Sequence, residues 1–119
     1  MQQLAASDEP FVADQLADRW VPQLSSKTPS TVDDGFAWDN TLTLQEHEWL
    51  RHRYSARLVW SSDWSSFSVP DVWVTVAPMT FPDSAGALQW CKNQGWDGNH
   101  CAAKLISQTH PPDGSFAHY

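Results

Sequence analysis

Two cysteines, five histidines and fourteen carboxylates are the groups in this 119-residue chain with the chemistry to bond, ligate or catalyse. Their spacing restricts what they do. Cys91 and Cys101, the only cysteines, bracket a turn that contains Gly95 and Asp97-Gly98-Asn99, so a bond between them would staple that turn. Closing so short a loop stabilises a fold by about 2–3 kcal/mol in the chain-entropy account. Such a bond implies an oxidising compartment, the alternative being two free buried thiols. His47-Glu48 with His52 approaches a zinc-protease helix, but these histidines lie about 140° apart around a helix, because the spacing is one residue longer than HExxH requires. His47 is expected at the core edge and His52 in solvent. Asp33, Asp34 and Asp39 match no EF-hand spacing, and a solvated acidic loop is the simpler reading. Serines crowd residues 61–68 without a G-x-S-x-G elbow, and Asp63 with Asp71 is the only nearby carboxylate pair for a hydrolase. His100, His110 and His118 fall near turns and the tail, and Gly86 and Gly95 are too sparse to cradle phosphate. No catalytic residue, metal site or cofactor is expected.

The aromatic residues point elsewhere. Eight tryptophans and five phenylalanines are more aromatic surface than one small core needs. Rings beside short hydroxyl and amide side chains suit neutral polyols such as sugars, since the ring stacks on C–H faces while the polar groups bond hydroxyls. Fourteen acidic against seven basic residues give a net charge of −7, which argues against nucleic acid or an anionic membrane as partner. No apolar run reaches the length of a membrane span, and the acidic start is unlike a signal peptide. An oxidising compartment then implies an export signal outside this sequence and a longer secreted or membrane-anchored parent.

The elements that must position these groups are organised around residues 72–106. Val72, Val74 and Val76 alternate with Trp73, Thr75 and Ala77 as in a half-buried strand. Asp83 is placed to cap a helix over 84–94, and a strand is expected at 102–106. Upstream, residues 1–9 read as linker, 10–19 as a short helix and 20–27 as a strand with Trp20, Pro22 and Leu24 on one face and Val21, Gln23 and Ser25 on the other. Pro22 removes a ladder donor and marks a place where this strand is bulged or only partly paired. Residues 28–40 form a long loop rich in turn formers, 42–54 a helix with Thr43 and Glu46 as a capping box and Leu44, His47, Leu50 and Tyr54 as its inward stripe, and 56–60 a further strand. The order is βαββαβ, an α+β ferredoxin-like sandwich of four antiparallel strands with two helices on one face. The opposite face is then open, and Gln23, Ser25, Trp73 and Thr75, joined by Trp60 or Trp64 according to register, are expected on it. A one-residue slip exchanges the faces.

PQLSS at 22–26, followed by VWVTVAPM at 72–79 and a helix-turn-strand, resembles the sporulation-related repeat (SPOR), a peptidoglycan-binding domain, over residues 20–107, leaving 108–119 as a tail. WVPQLSSK, ARLVWSSDWSSF, DVWVTV and the ALQWC to HCAAKLIS segment give a closer likeness to the C-terminal extracytoplasmic domain of actinobacterial membrane proteins, some of them serine/threonine kinases. The SPOR resemblance implies binding of glycan strands, with Gln23 and Ser26 matching polar positions of its first-strand motif. The expected function is a non-catalytic extracytoplasmic module that binds cell-wall glycan through Gln23, Ser26, Trp60, Trp64 and Trp73. The alternative is a protein-interaction or sensor ectodomain using the same aromatic face. In either case the segment itself does not insert in a membrane, and its tether lies outside it.

Overall fold

Alternating apolar residues on four segments, with a two-residue edge from the tail, assemble into one antiparallel sheet. The computed structural model describes residues 1–28 and 39–119 and the backbone of 32–33 and 36–37. In chain order the elements are α1 (Gln2–Phe11), a π-helical turn (Val12–Leu16), β1 (Arg19–Lys27), the short pair β2 (Val32–Asp33) and β3 (Phe36–Ala37), α2 (Asn40–Tyr54), β4 (Arg57–Trp60), β5 (Trp73–Val76), α3 (Ser84–Asn93), β6 (Ala102–Ile106) and β7 (Phe116–Ala117). The main sheet runs β4-β5-β1-β6-β7, every neighbour antiparallel. This α+β architecture is compatible with a ferredoxin-like fold, but among the described residues the main sheet has five strands and there are three α-helices, where four and two were expected. The tail supplies the extra strand, with Phe116 opposite Lys104.

β1 is irregular where Pro22 suggested it. Gln23 pairs with Val76 and Ser25 with Thr75, so Leu24 is inserted as a bulge. Pro22 offers no N–H on the β5 side, while its carbonyl accepts from Ala77 N at 3.0 Å. The inserted residue shifts the alternation. Leu24 joins the apolar cluster under α2 and α3, and Ser25, the next residue, donates its hydroxyl to Glu46 of α2. Gln23 and Ser26, three apart, are thereby left together on the opposite face.

The faces of β5 are inverted relative to expectation. Val74 and Val76 pack with Val21, Val59, Ile106 and Trp64 on the side away from α2 and α3, where Val12, Leu16 and Phe67 cover them. Trp73 and Thr75 lie on the helix side: Thr75 Oγ1 is 2.8 Å from His47 Nδ1, and the Trp73 ring sits 4.3 Å from that of Trp60 and packs on Ala5. Trp73 is only 6 % exposed. Strand alternation separated the two sets correctly but could not say which set meets the helices.

The expected linker at 1–9 is helix α1, and one carboxylate anchors it. Asp8, 1 % exposed, receives two hydrogen bonds from Arg51 at 2.6 and 2.9 Å, one from Arg57 and one from Leu58 N at 2.9 Å. β4 is an edge strand, so this carboxylate caps an edge amide that would otherwise be free to pair with another chain. Burial pushes the Asp8 carboxyl up, yet Arg51, Leu58 N–H and Arg57 together hold it below its ordinary range. Past Asp8, Pro10 interrupts the ladder and the chain widens into the π-helical turn that delivers Val12 and Leu16 to the valine face.

Helix α2 is capped by Asp39, whose Oδ1 accepts from Leu42 N, and not by Thr43, which lies buried inside the helix. Asp39 is thus committed to the cap, while the side chains of Asp33 and Asp34, and most of the 28–40 loop, lie outside the described residues. His47 and Leu50 face the sheet as the spacing indicated, with Leu44 and Tyr54 half-buried. His52 is exposed. Asp83 caps α3 by accepting from Gly86 N, and Gly86 has no Cβ to collide with the Phe81 ring beside it. Cys91 and Cys101 are bonded, tying the last turn of α3 to the start of β6 beneath Trp90 and Trp96.

Two measurements check this packing. Trp73→Ala is expected to cost about 3–5 kcal/mol of stability as a buried large-to-small change, and Leu50→Ala about 2–5; losses under about 0.5 kcal/mol would place these residues on the surface. His47 is lowered to about 4 by burial first and by the Arg51 charge second, and among the described residues its Nε2 has no hydrogen-bond partner. A histidine depressed in the fold stabilises fully above its ordinary value and loses that contribution as pH falls toward the folded value. Denaturant melts should therefore show about 2 kcal/mol lost between about pH 7.5 and 5, a slope that His47→Gln should flatten.

Candidate functional site

The part of the valine face left uncovered lies over the C-terminal half of β1, over β6 and over β7. Two adjoining clefts of about 410 and 420 Å³ share Gln23, Ser26 and Phe116 in their walls. The first continues along Lys27, Gly98, Asn99, His100 and His118; the second runs under Phe67 and Val69 to Lys104. Together they make a groove that crosses the sheet beside Lys104 and continues round the end of β1 beyond its pairing with β6, where Leu24 and Ser25 also line it. Gln23 is half-buried and Ser26 exposed, and Phe116 is 48 % exposed.

Each wall is held by local structure. The β1 bulge brings Gln23 and Ser26 to one surface. At one end the turn after α3 is closed by Asp97, which accepts from Asn99 N at 2.9 Å and pairs with His100 Nδ1 at 2.8 Å. The hydrogen bond with His100 holds the Asp97 carboxyl below its ordinary range. At the other end the serine-rich segment after β4 is pinned to the sheet: Ser66 N donates to Ser107 O, Ser107 N to Ser66 Oγ, and Ser115 Oγ to Ser66 O. Phe67 is thereby fixed above β6.

Lys104 lies at the inner wall and is 4 % exposed. Its ammonium donates to Ser66 O at 2.5 Å and Ser115 Oγ at 2.9 Å and sits 4.5 Å from the centre of the Phe67 ring. Burial lowers it to about 8. Serine beside lysine is an arrangement able to generate a nucleophile, but Ser115 is fully buried and its hydroxyl proton is directed at the Ser66 and Pro112 carbonyls, away from the lysine that would have to accept it. His47 with Thr75 is likewise sealed beneath α2. Among the described residues no cluster of three His, Cys, Asp or Glu side chains is placed to hold a metal. What the groove offers is a set of fixed amide, hydroxyl, imidazole and ammonium groups between two aromatic rings.

The residues expected to bind ligand divide between three places. Gln23 and Ser26 meet in the groove. Trp64 is 3 % exposed in the valine-face core. Trp60 and Trp73 stack together beside α1, lining a separate pocket of about 180 Å³ with Gln2, Glu9 and Asp63. The open face was thus expected to be wider than it is, because α1, the π-helical turn and the 61–67 segment cover much of it. Sequence reasoning missed Lys104, Phe116 and the 98–100 turn as groove walls. A signal existed for one of them, a lysine set between apolar residues in the strand AAKLI.

No protein-family model, curated protein or solved structure matches this chain. The helices of the described residues include none long and apolar enough to cross a membrane.

Lys104 also makes a stability statement. A lysine depressed in the fold contributes fully only above its ordinary value, and that contribution is lost as pH falls from about 10.5 toward 8. At neutral pH its burial is a net cost. Lys104→Met removes a buried ammonium that meets no carboxylate among the described residues, so it is expected to stabilise the fold by about 1–3 kcal/mol at pH 7 and to remove the rise in stability between about pH 8 and 10.5. A loss of more than about 1 kcal/mol in urea melts would show instead that the ammonium supports the fold.

Proposed function

We propose that this chain is a non-catalytic, SPOR-like binding module of ferredoxin-like core that recognises peptidoglycan or a related cell-wall glycan on the extracytoplasmic side. The observation that carries this reading is the meeting of Gln23 and Ser26 on one solvent-facing groove between Phe67 and Phe116. Amide and hydroxyl groups flanked by ring faces and edges are the chemistry that sugar hydroxyls and C–H faces require, and a groove open along its length suits a strand. The βαββαβ order of the core strands and helices supports the fold likeness. The Cys91–Cys101 bond supports an oxidising compartment. The glycan surface in this reading is the groove and not the Trp60–Trp73 pair.

A second reading has its own observation. On the outer surface of α2, Leu42 and Trp49 are two turns apart and 38 % and 57 % exposed, and the Arg53 guanidinium lies 5.9 Å from the Trp49 ring. Exposed tryptophan beside arginine is the composition of protein-docking hot spots.

Co-sedimentation with purified peptidoglycan separates the two. The Gln23→Ala/Ser26→Ala variant is expected to bind about tenfold more weakly or worse, each lost hydrogen bond being worth on the order of 1 kcal/mol, with an unchanged melting temperature. Trp49→Ala should sediment as wild type does. A groove variant that binds normally, or a wild-type protein that stays in the supernatant, would end the glycan reading.

A further inference from the structure

Among the described residues, Lys104 is a buried cation that meets only neutral groups. Its ammonium meets Ser66 O, Ser115 Oγ and the rings of Phe67 and, at 6.0 Å, Phe116. Among the described residues no carboxylate pairs with it, and of its three N–H donors two have an oxygen acceptor. The other deeply buried charges are treated differently: Asp8 is matched by Arg51 and Arg57, and Lys27 lies 3.7 Å from Glu46. An uncompensated buried charge is destabilising, and the two oxygens that accept from this ammonium, Ser66 O and Ser115 Oγ, are both neutral. The same lysine borders the cleft that Gln23 and Ser26 line. A counter-charge is missing where a ligand has room to bring one.

We propose that the Lys104 end of the groove is a carboxylate subsite, occupied by a carboxylate carried on an otherwise uncharged glycan. This rests on the glycan reading above and names the group that reading left open. The ammonium supplies the charge, Gln23 and Ser26 supply neighbouring donors, and Phe67 and Phe116 limit water around the pair, which strengthens it. The choice of an isolated carboxylate over a polyanion follows from the rest of the chain. With a net charge of −7, the protein repels a phosphate polymer as a whole, while one buried cation attracts a single anionic group at short range.

The test uses peptidoglycan glycan strands freed of stem peptides by amidase, whose sugar carboxylates are exposed, and the same strands after carbodiimide conversion of those carboxylates to amides. Wild type should bind the carboxylate form about tenfold or more tightly than the amidated form, the scale of a charge-assisted hydrogen bond. Lys104→Met should bind both forms equally, at the wild-type affinity for the amidated strands. Equal wild-type affinity for the two forms overturns the subsite while leaving glycan binding in place, and that comparison needs no variant. A preference retained by Lys104→Met also overturns it. Wild-type binding to neither form removes the glycan reading and the subsite with it.

Discussion

One inserted residue in β1 decides which side chains this protein shows to solvent. Without the bulge at Leu24, strand alternation would place Gln23 and Ser26 on opposite faces and turn Ser25 toward the groove. With it, Leu24 and Ser25 both face the helices, one joining the apolar cluster and the other the Glu46 carboxylate, and the two polar residues share the groove. The same bulge lies next to Pro22, whose missing N–H makes regular pairing with β5 impossible at that point. The irregularity combines the missing donor of Pro22 with the register that β5 takes alongside, and the site is its consequence.

The second organising feature is the closure of the valine face. α1 starts on the helix side of the sheet, passes the β4 edge with Asp8 bonded to Leu58 N, and ends as a π-helical turn on the other side. An edge strand is covered, and Val12 and Leu16 are packed on the face that two helices alone would leave open. What stays uncovered is the β1–β6–β7 end, where the chain instead places a lysine. Asp8 and Lys104 show the contrast plainly: among the described residues one buried charge is matched by two arginines, and the other meets only neutral groups.

Much of this was legible in the sequence where the determining contacts are local. The Asp83 cap, the Cys91–Cys101 staple across ten residues, the inward placement of His47 and Leu50 and the type of each core element depend on patterns close in sequence. The misreadings involve distant partners. Residues 1–9 look like linker because Asp8 finds its partners 43 to 50 positions away. The orientation of Trp73 depends on whether helices or the 61–67 segment cover the valines, which alternation alone does not encode. Pro22 flagged an irregular strand, but whether it slips the register or only loses a bond depends on β5 alongside. Lys104 was visible as a charge inside an apolar strand, and its meaning needed the cleft beside it.

The claim that the bulge-built groove is the binding surface is tested most directly by amide chemical-shift mapping of the labelled protein during titration with peptide-free glycan strands. Perturbations are expected to concentrate at Gln23, Ser26, residues 98–102, Lys104 and Phe116. Shifts clustered instead around Leu42 and Trp49 on α2, or around Trp60 and Trp73 beside α1, would contradict it.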